Sequence, residues 1–173
     1  MIKTANAIFT WVEYNAAAGD TSVPSNLNLG SDNSADLAPS TYPITAGTYS
    51  YSKWVRGHWS GSFTRIENLQ FWMSSSGSGY VSGETLKCSA TTTSYAGTST
   101  YVAPTNSEAD AQAANAMPVA DPGAVNVGIG GALAGSLEAE GDSDFIVVQA
   151  SITSAANAGA TQTKQFRLQY DEV

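Results

Sequence analysis

Few side chains in this sequence could carry chemistry. His58 is its single histidine and Cys88 its single cysteine, so a zinc site or a Ser-His-Asp relay would have to rest on His58. His58 sits between Gly57 and Trp59 in a strand-like run, with no Cys nearby and no Gly-x-Ser-x-Gly elbow anywhere, and it reads as a sheet-surface or interface residue. No phosphate-binding loop, His-Glu-x-x-His pair or dinucleotide fingerprint occurs. The glycine-rich residues 128–131 run into Ala132-Leu133-Ala134 without a lysine, which suits a bulged strand. Glu67, Glu84, Glu138, Glu140, Asp142 and Asp144 could supply the paired carboxylates of a glycosidase, but they fall at turns or strand ends, where solvated caps are expected. Two acidic loops, residues 30–36 and 138–144, hold hard oxygen donors suited to calcium but lack any ligand spacing, and Asx-turns account for Asp32 and Asn33. The expectation is no catalytic residue, no metal and no cofactor.

The elements that would position these groups are strands. Residues 7–14 are apolar on both faces, as in a strand covered on both sides. Residues 49–59 form the strongest strand, with Trp54, Arg56 and His58 on one face and Val55, Gly57 and Trp59 on the other. Residues 63–66 and 69–73 read as a hairpin about Glu67-Asn68. Short strands are expected at 26–29, 80–81, 85–90, 99–102 and 125–137. Residues 144–153 alternate with Ile146, Val148, Ala150 and Ile152 inward, and 163–170 with Phe166, Leu168 and Tyr170 inward; the loop between them would make these a second hairpin. One short helix is expected over 107–115, with Ser107 as its N-cap. The pattern is that of an all-β protein, an antiparallel β-sandwich or jelly-roll-like fold, in one domain over residues 1–173.

Bulk composition narrows the partners. A formal charge of −8, with seven basic residues spread along the chain, argues against nucleic acid. No apolar run reaches the roughly 18 residues of a membrane span, and the N-terminal run with Trp11 and Glu13 reads as a strand and not as a signal peptide. Charged residues make up only 13% of the chain, so solubility must rest on Ser, Thr, Asn and Gln, a composition suited to a surface covered in an assembly. The aromatic side chains Trp54, Trp59, Trp72, Tyr49, Tyr51, Tyr80, Tyr95 and Tyr101 divide between core, protein–protein interface and a platform for sugar. Trp59 and Trp72 are assigned to the core. Trp54 beside Arg56, with His58, Tyr49 and Tyr51, is assigned to an interface.

Three stretches carry a family resemblance: Thr10-Trp11-Val12-Glu13-Tyr14-Asn15 with Asn26-Leu27-Asn28-Leu29-Gly30-Ser31; the series Tyr42-Pro43-Ile44, Gly47, Tyr51-Ser52-Lys53-Trp54, Gly61-Ser62-Phe63-Thr64 and Asn68-Leu69-Gln70-Phe71-Trp72; and Phe166-Arg167-Leu168-Gln169-Tyr170-Asp171-Glu172. In these the chain resembles small structural proteins of tailed-bacteriophage virions. The resemblance implies a non-enzymatic subunit located in the virion, as head decoration, neck or tail component. Its expected partners are other virion proteins and copies of itself. It transfers no site residues. The alternative is a carbohydrate-binding module on a virion or cell surface, whose partner would be a host glycan.

Overall fold

The computed structural model describes residues 6–14, 21–74, 80–90, 100–157, 159 and 163–173. Among them are nine strands: β1 (Asn6–Tyr14), β2 (Thr21–Ser22), β3 (Lys53–Ser62), β4 (Ile66–Ser74), β5 (Glu84–Cys88), β6 (Asn115–Ala116), β7 (Gly141–Asp142), β8 (Ile146–Ile152) and β9 (Gln165–Glu172). They form two antiparallel sheets packed face to face. The larger runs β2-β1-β3-β8-β5-β6, with β7 also on β3; the smaller is β4-β9. This is an all-β sandwich with unequal layers.

Alternation along the strands builds the layers. Phe9 and Trp11 of β1, Val55 and Trp59 of β3, Ile146, Val148 and Ala150 of β8, and Leu86 and Cys88 of β5 face inward. Ile66, Leu69, Phe71 and Met73 of β4 meet them, with Phe166, Leu168 and Tyr170 of β9. The inward faces expected for β3 and β9 are those observed, as are Ile146, Val148 and Ala150 of β8, whereas Ile152, also expected inward, is only part-buried and lies outside the core cluster. One close approach dictates a glycine: a Cβ on Gly57 would lie 2.6 Å from the Trp59 ring and 2.9 Å from Phe9. The Trp59 indole lies across the bare backbone there and stacks edge-on against Tyr170 at 5.2 Å.

Several expected elements differ. β4 runs unbroken through Glu67-Asn68, where the register shifts between Glu67 and Gln70 and Asn68 takes φ 58°. The left-handed Asn makes a bulge, not a hairpin turn. The hairpin expected of β8 and β9 does not form, because the two strands lie in opposite sheets. Residues 26–29, 80–81, 100–102 and 125–137 contain no strand, and Ser99 lies outside the described residues. The helix expected at 107–115 is a single 3-10 turn, Ala111–Ala113, capped by Asp110.

Residues 118–137 instead close the outer edge of β4. Asn126 acts as a one-residue strand. Its side-chain carbonyl accepts from the Phe71 N–H at 2.7 Å, and its amide donates to the Phe71 carbonyl at 2.8 Å. Backbone bonds from Asn126 and Val127 to Leu69, and a reciprocal pair between Ile66 and Leu137, complete the cover. Buried strand-edge groups left without partners would cost free energy, so an irregular segment suffices if it supplies donors and acceptors in register.

Candidate interaction surface

The outer face of β3 carries three of the residues expected at an interface. They do not form a common exposed patch. Trp54 is 0% exposed, enclosed by Phe145, Tyr101, Tyr14, Ala113 and Val147, with Phe145 and Tyr101 meeting it edge-on at 5.3 and 5.4 Å. It anchors a second, smaller core on the outside of the large sheet, and its ring cannot reach another molecule. Residues 101–113 complete this cover. They are held by a buried polar network in which the Asp110 carboxylate accepts from Ser52 Oγ at 2.6 Å and from the Gln112 N–H at 2.8 Å. The Asp110 N–H donates to Gln149 Oε1, and Gln149 Nε2 donates to the carbonyls of Ser50, Thr105 and Glu108. Buried polar groups joined this fully fix one register of the covering segment.

Below that cover the face becomes electrostatic. The Arg56 guanidinium lies over the rings of Tyr14 and Phe145 at 4.7 and 4.9 Å, contacts the Tyr14 hydroxyl and pairs with Asp142 at 2.9 Å. His58 Nδ1 lies 2.9 Å from Asp142 Oδ1, with Glu140 3.8 Å from its other nitrogen. Arg56 is 22% and His58 31% exposed, so both present an edge to solvent while engaged within the chain. Their partners belong to β7 and its approach, which pair with His58–Trp59. The cluster ties β7 to β3. Tyr49 and Tyr51 are half-buried and belong to the segment entering β3: Tyr49 bridges to Ser151, and the Tyr51 N–H donates to the Gly30 carbonyl. Tyr95 lies outside the described residues.

The carboxylates are not all solvated caps. Glu84 is buried and paired with Lys164 at 2.7 Å, and Asp144 is buried with both oxygens accepting from the Gly131 N–H. Burial pushes the Asp144 carboxyl above the usual range, partly offset by the Gly131 and Gly130 N–H groups. Glu67 is engaged by Arg65 at 2.8 Å. The Asx-turn reading of Asp32 holds: its carboxylate accepts from the Ser34 N–H and hydroxyl, and these bonds hold its pKa down. Asp36 accepts from Ser25 and Asn26 in the same manner.

Sequence reasoning missed a buried ion pair. Lys53 and Glu13, each 1% exposed, meet at 3.0 Å, and Lys53 Nζ also donates to the carbonyls of Asn33 and Ser34. Burial raises the Glu13 pKa, and the nearby Lys53 charge pulls it part of the way back. The only sequence signal was parity, since Lys53 shares the inward face of β3 with Val55. Between the sheets lies a cleft of about 540 Å³, floored by Trp11, Leu29, Val55, Phe71, Leu86 and Phe166, with the Glu84–Lys164 pair in its wall. Its walls are apolar apart from Ser, Asn and Thr side chains and that internally neutralised pair.

Two strand edges are open among the described residues: β9 has one strand partner there, β4, and β1 has a second partner only at Glu13–Tyr14. The two bare edges lie on the same side of the sandwich, linked by the Ala7 N–H donating to Glu172 Oε1 at 2.9 Å and by the stacked rings of Phe9 and Tyr170. Ile8, at 61% exposure, projects beside them. A shallow groove of about 490 Å³ follows β9 from Phe166 to Tyr170, with Trp11 and Trp72 contributing to its walls. No family model, no curated protein and no solved structure matches this chain.

Proposed function

We propose that this chain is a non-catalytic structural subunit of a tailed-bacteriophage virion, an auxiliary capsid (decoration) protein or a neck or tail component, that acts through protein–protein contacts. The observation that carries the reading is the pairing of two strand edges, β1 and β9, bare among the described residues, on one side of a sandwich that encloses Trp54, Trp59 and Trp72. Edges of this kind template the addition of another chain, and natural sheets usually blunt them. The resemblance of the three sequence stretches to virion structural proteins supports the setting.

The mechanism is static. A chain with only 13% charged residues and many Ser, Thr and Asn side chains makes broad polar contacts at modest desolvation cost. Repetition on a symmetric particle multiplies individually weak contacts into tight attachment. Mass spectrometry of particles purified from a phage that encodes the chain tests this: the chain should be present in fixed stoichiometry to the major head or tail protein. Its absence from intact particles, with the chain confined to the infected-cell lysate, would overturn the assignment.

A further inference from the structure

We propose that two copies of this chain join through the bare edge of β9, the strands running antiparallel about Gln169 so that Arg167 of each copy faces Asp171 of the other. The inference rests on the reading of the chain as an assembling subunit and names a second copy as its first partner.

The edge is available. Among the described residues the backbone of Phe166–Glu172 pairs only with β4, and the strand carries no Pro, Gly or bulge that would repel an added strand. The groove along Phe166–Tyr170 leaves room beside it. Bare β1 is the poorer choice, since its Ala7 N–H is already taken by Glu172 and Asn6–Val12 carries no charge to set a register.

The register follows from two constraints. Residues directly opposite in an antiparallel pair share a face, so a symmetric pairing must be centred on a residue and not between two. Centring on Leu168 sets Arg167 opposite Gln169, and centring on Tyr170 sets it opposite Val173. Only Gln169 at the centre brings Arg167 opposite a carboxylate, Asp171, and by symmetry it does so twice. Both residues are exposed on the outer face of β9. Arg167 has no ion-pair partner among the described residues, while Asp171 gives one oxygen to Asn68 Nδ2 at 2.7 Å and keeps the other for a second copy. On the inner face the same register sets Leu168 against Tyr170 twice. The two-stranded layer becomes a continuous four-stranded one, β4-β9-β9-β4.

The test is charge reversal on the full chain, read by sedimentation equilibrium across a concentration series at low and moderate salt. The unaltered chain should reach dimer mass, more weakly as salt rises. Arg167→Asp and Asp171→Arg each create two like-charge pairs and should weaken association roughly 10- to 100-fold. Mixing the two single variants restores both attractions and should recover a heterodimer. Circular dichroism checks folding. Asp171→Arg also loses the Asn68 bond, but Arg167→Asp leaves it intact and decides the matter if the other variant fails to fold. A monomer up to the solubility limit, unweakened single variants or a mixture that stays monomeric would each overturn the proposal. A monomeric chain that is nevertheless found in particles sinks the dimer and leaves the virion reading standing; a dimer absent from particles does the reverse.

Discussion

Replacing Lys53 by methionine should be among the most damaging single changes in this molecule. The substitution keeps a long flexible apolar stem but removes the ammonium that meets Glu13 at 3.0 Å and donates to the carbonyls of Asn33 at 3.2 Å and Ser34 at 2.6 Å. Glu13 stays 1% exposed with no counter-charge. Breaking one side of a buried ion pair costs about 3–5 kcal/mol, because the orphaned charge keeps its desolvation penalty. For a chain of this size that lowers the melting temperature by about 6–20 °C, and it removes a large share of the roughly 5–15 kcal/mol that folded domains possess. Denaturant unfolding followed by tryptophan fluorescence gives the number directly.

The double variant Glu13→Leu, Lys53→Met separates the charge effect from packing. With no ion left inside, only the two loop carbonyls lose a donor, at about 1–3 kcal/mol, so the double variant should be more stable than Lys53→Met alone. The pH dependence has a fixed sign. Burial raises the Glu13 pKa in the native chain, so its contribution is fully present below the ordinary glutamate value and is lost as pH rises through the folded value. Without Lys53 the folded value rises further, so the deficit of Lys53→Met should shrink on acidification and grow toward neutral pH. A single variant costing under about 1 kcal/mol, or a double variant worse than the single, would refute the reasoning.

Three further outcomes are expected. Gly57→Ala places a methyl 2.6 Å from the Trp59 ring and should cost about 1–3 kcal/mol by overpacking, with a shifted tryptophan emission; a neutral result in urea unfolding would contradict the close approach. Asn126→Ala leaves the Phe71 N–H and carbonyl without their partner and should cost roughly 2–4 kcal/mol in the same assay, whereas a loss under about 0.5 kcal/mol would show that water replaces it. Burial pushes the Cys88 thiol up to about 12, so at mildly alkaline pH a thiol reagent should modify it only at the rate of global unfolding; modification as fast as an exposed thiol would place it at the surface.

Strict alternation made part of this fold legible. Ile146, Val148 and Ala150, then Phe166, Leu168 and Tyr170, face the core as their spacing requires, and the two faces of β3 divide as expected. Alternation says which residues share a face, not what covers it. Its face therefore points Trp54 to an interface, although Phe145 and Tyr101, far along the chain, enclose it. The failed hairpins have a related cause: a turn-prone residue marks a change in backbone direction or register, and Asn68 at φ 58° makes a bulge as readily as a turn. Residues 107–115 carried genuine capping residues, but Asp110 and its neighbours are held by Ser52 and Gln149, and one 3-10 turn satisfies that network. Glu84 and Asp144 looked like solvated caps because their burial depends on Lys164 and on the turn at Gly130-Gly131.

The small sheet shows where the unsatisfied chemistry of this fold resides. Its two flanks pose the same problem, a row of backbone donors and acceptors with no strand beyond. On the β4 side the chain answers within itself, through Asn126, Val127, Leu137 and the Pro118 carbonyl. On the β9 side, among the described residues, nothing answers for Phe166–Glu172, and the outward side chains there alternate glutamine with opposite charges. Exposed edge groups are hydrated and cost little in a lone molecule, so the asymmetry is no defect of stability. Under the proposed pairing the β9 edge is the stretch, among the described residues, where a second copy gains hydrogen bonds, apolar cover and ion pairs in a single register. Trp54 and Trp59 are enclosed, so under the proposed pairing recognition rests on backbone and polar side chains at β9, and substitutions along that strand should change assembly far more than they change folding.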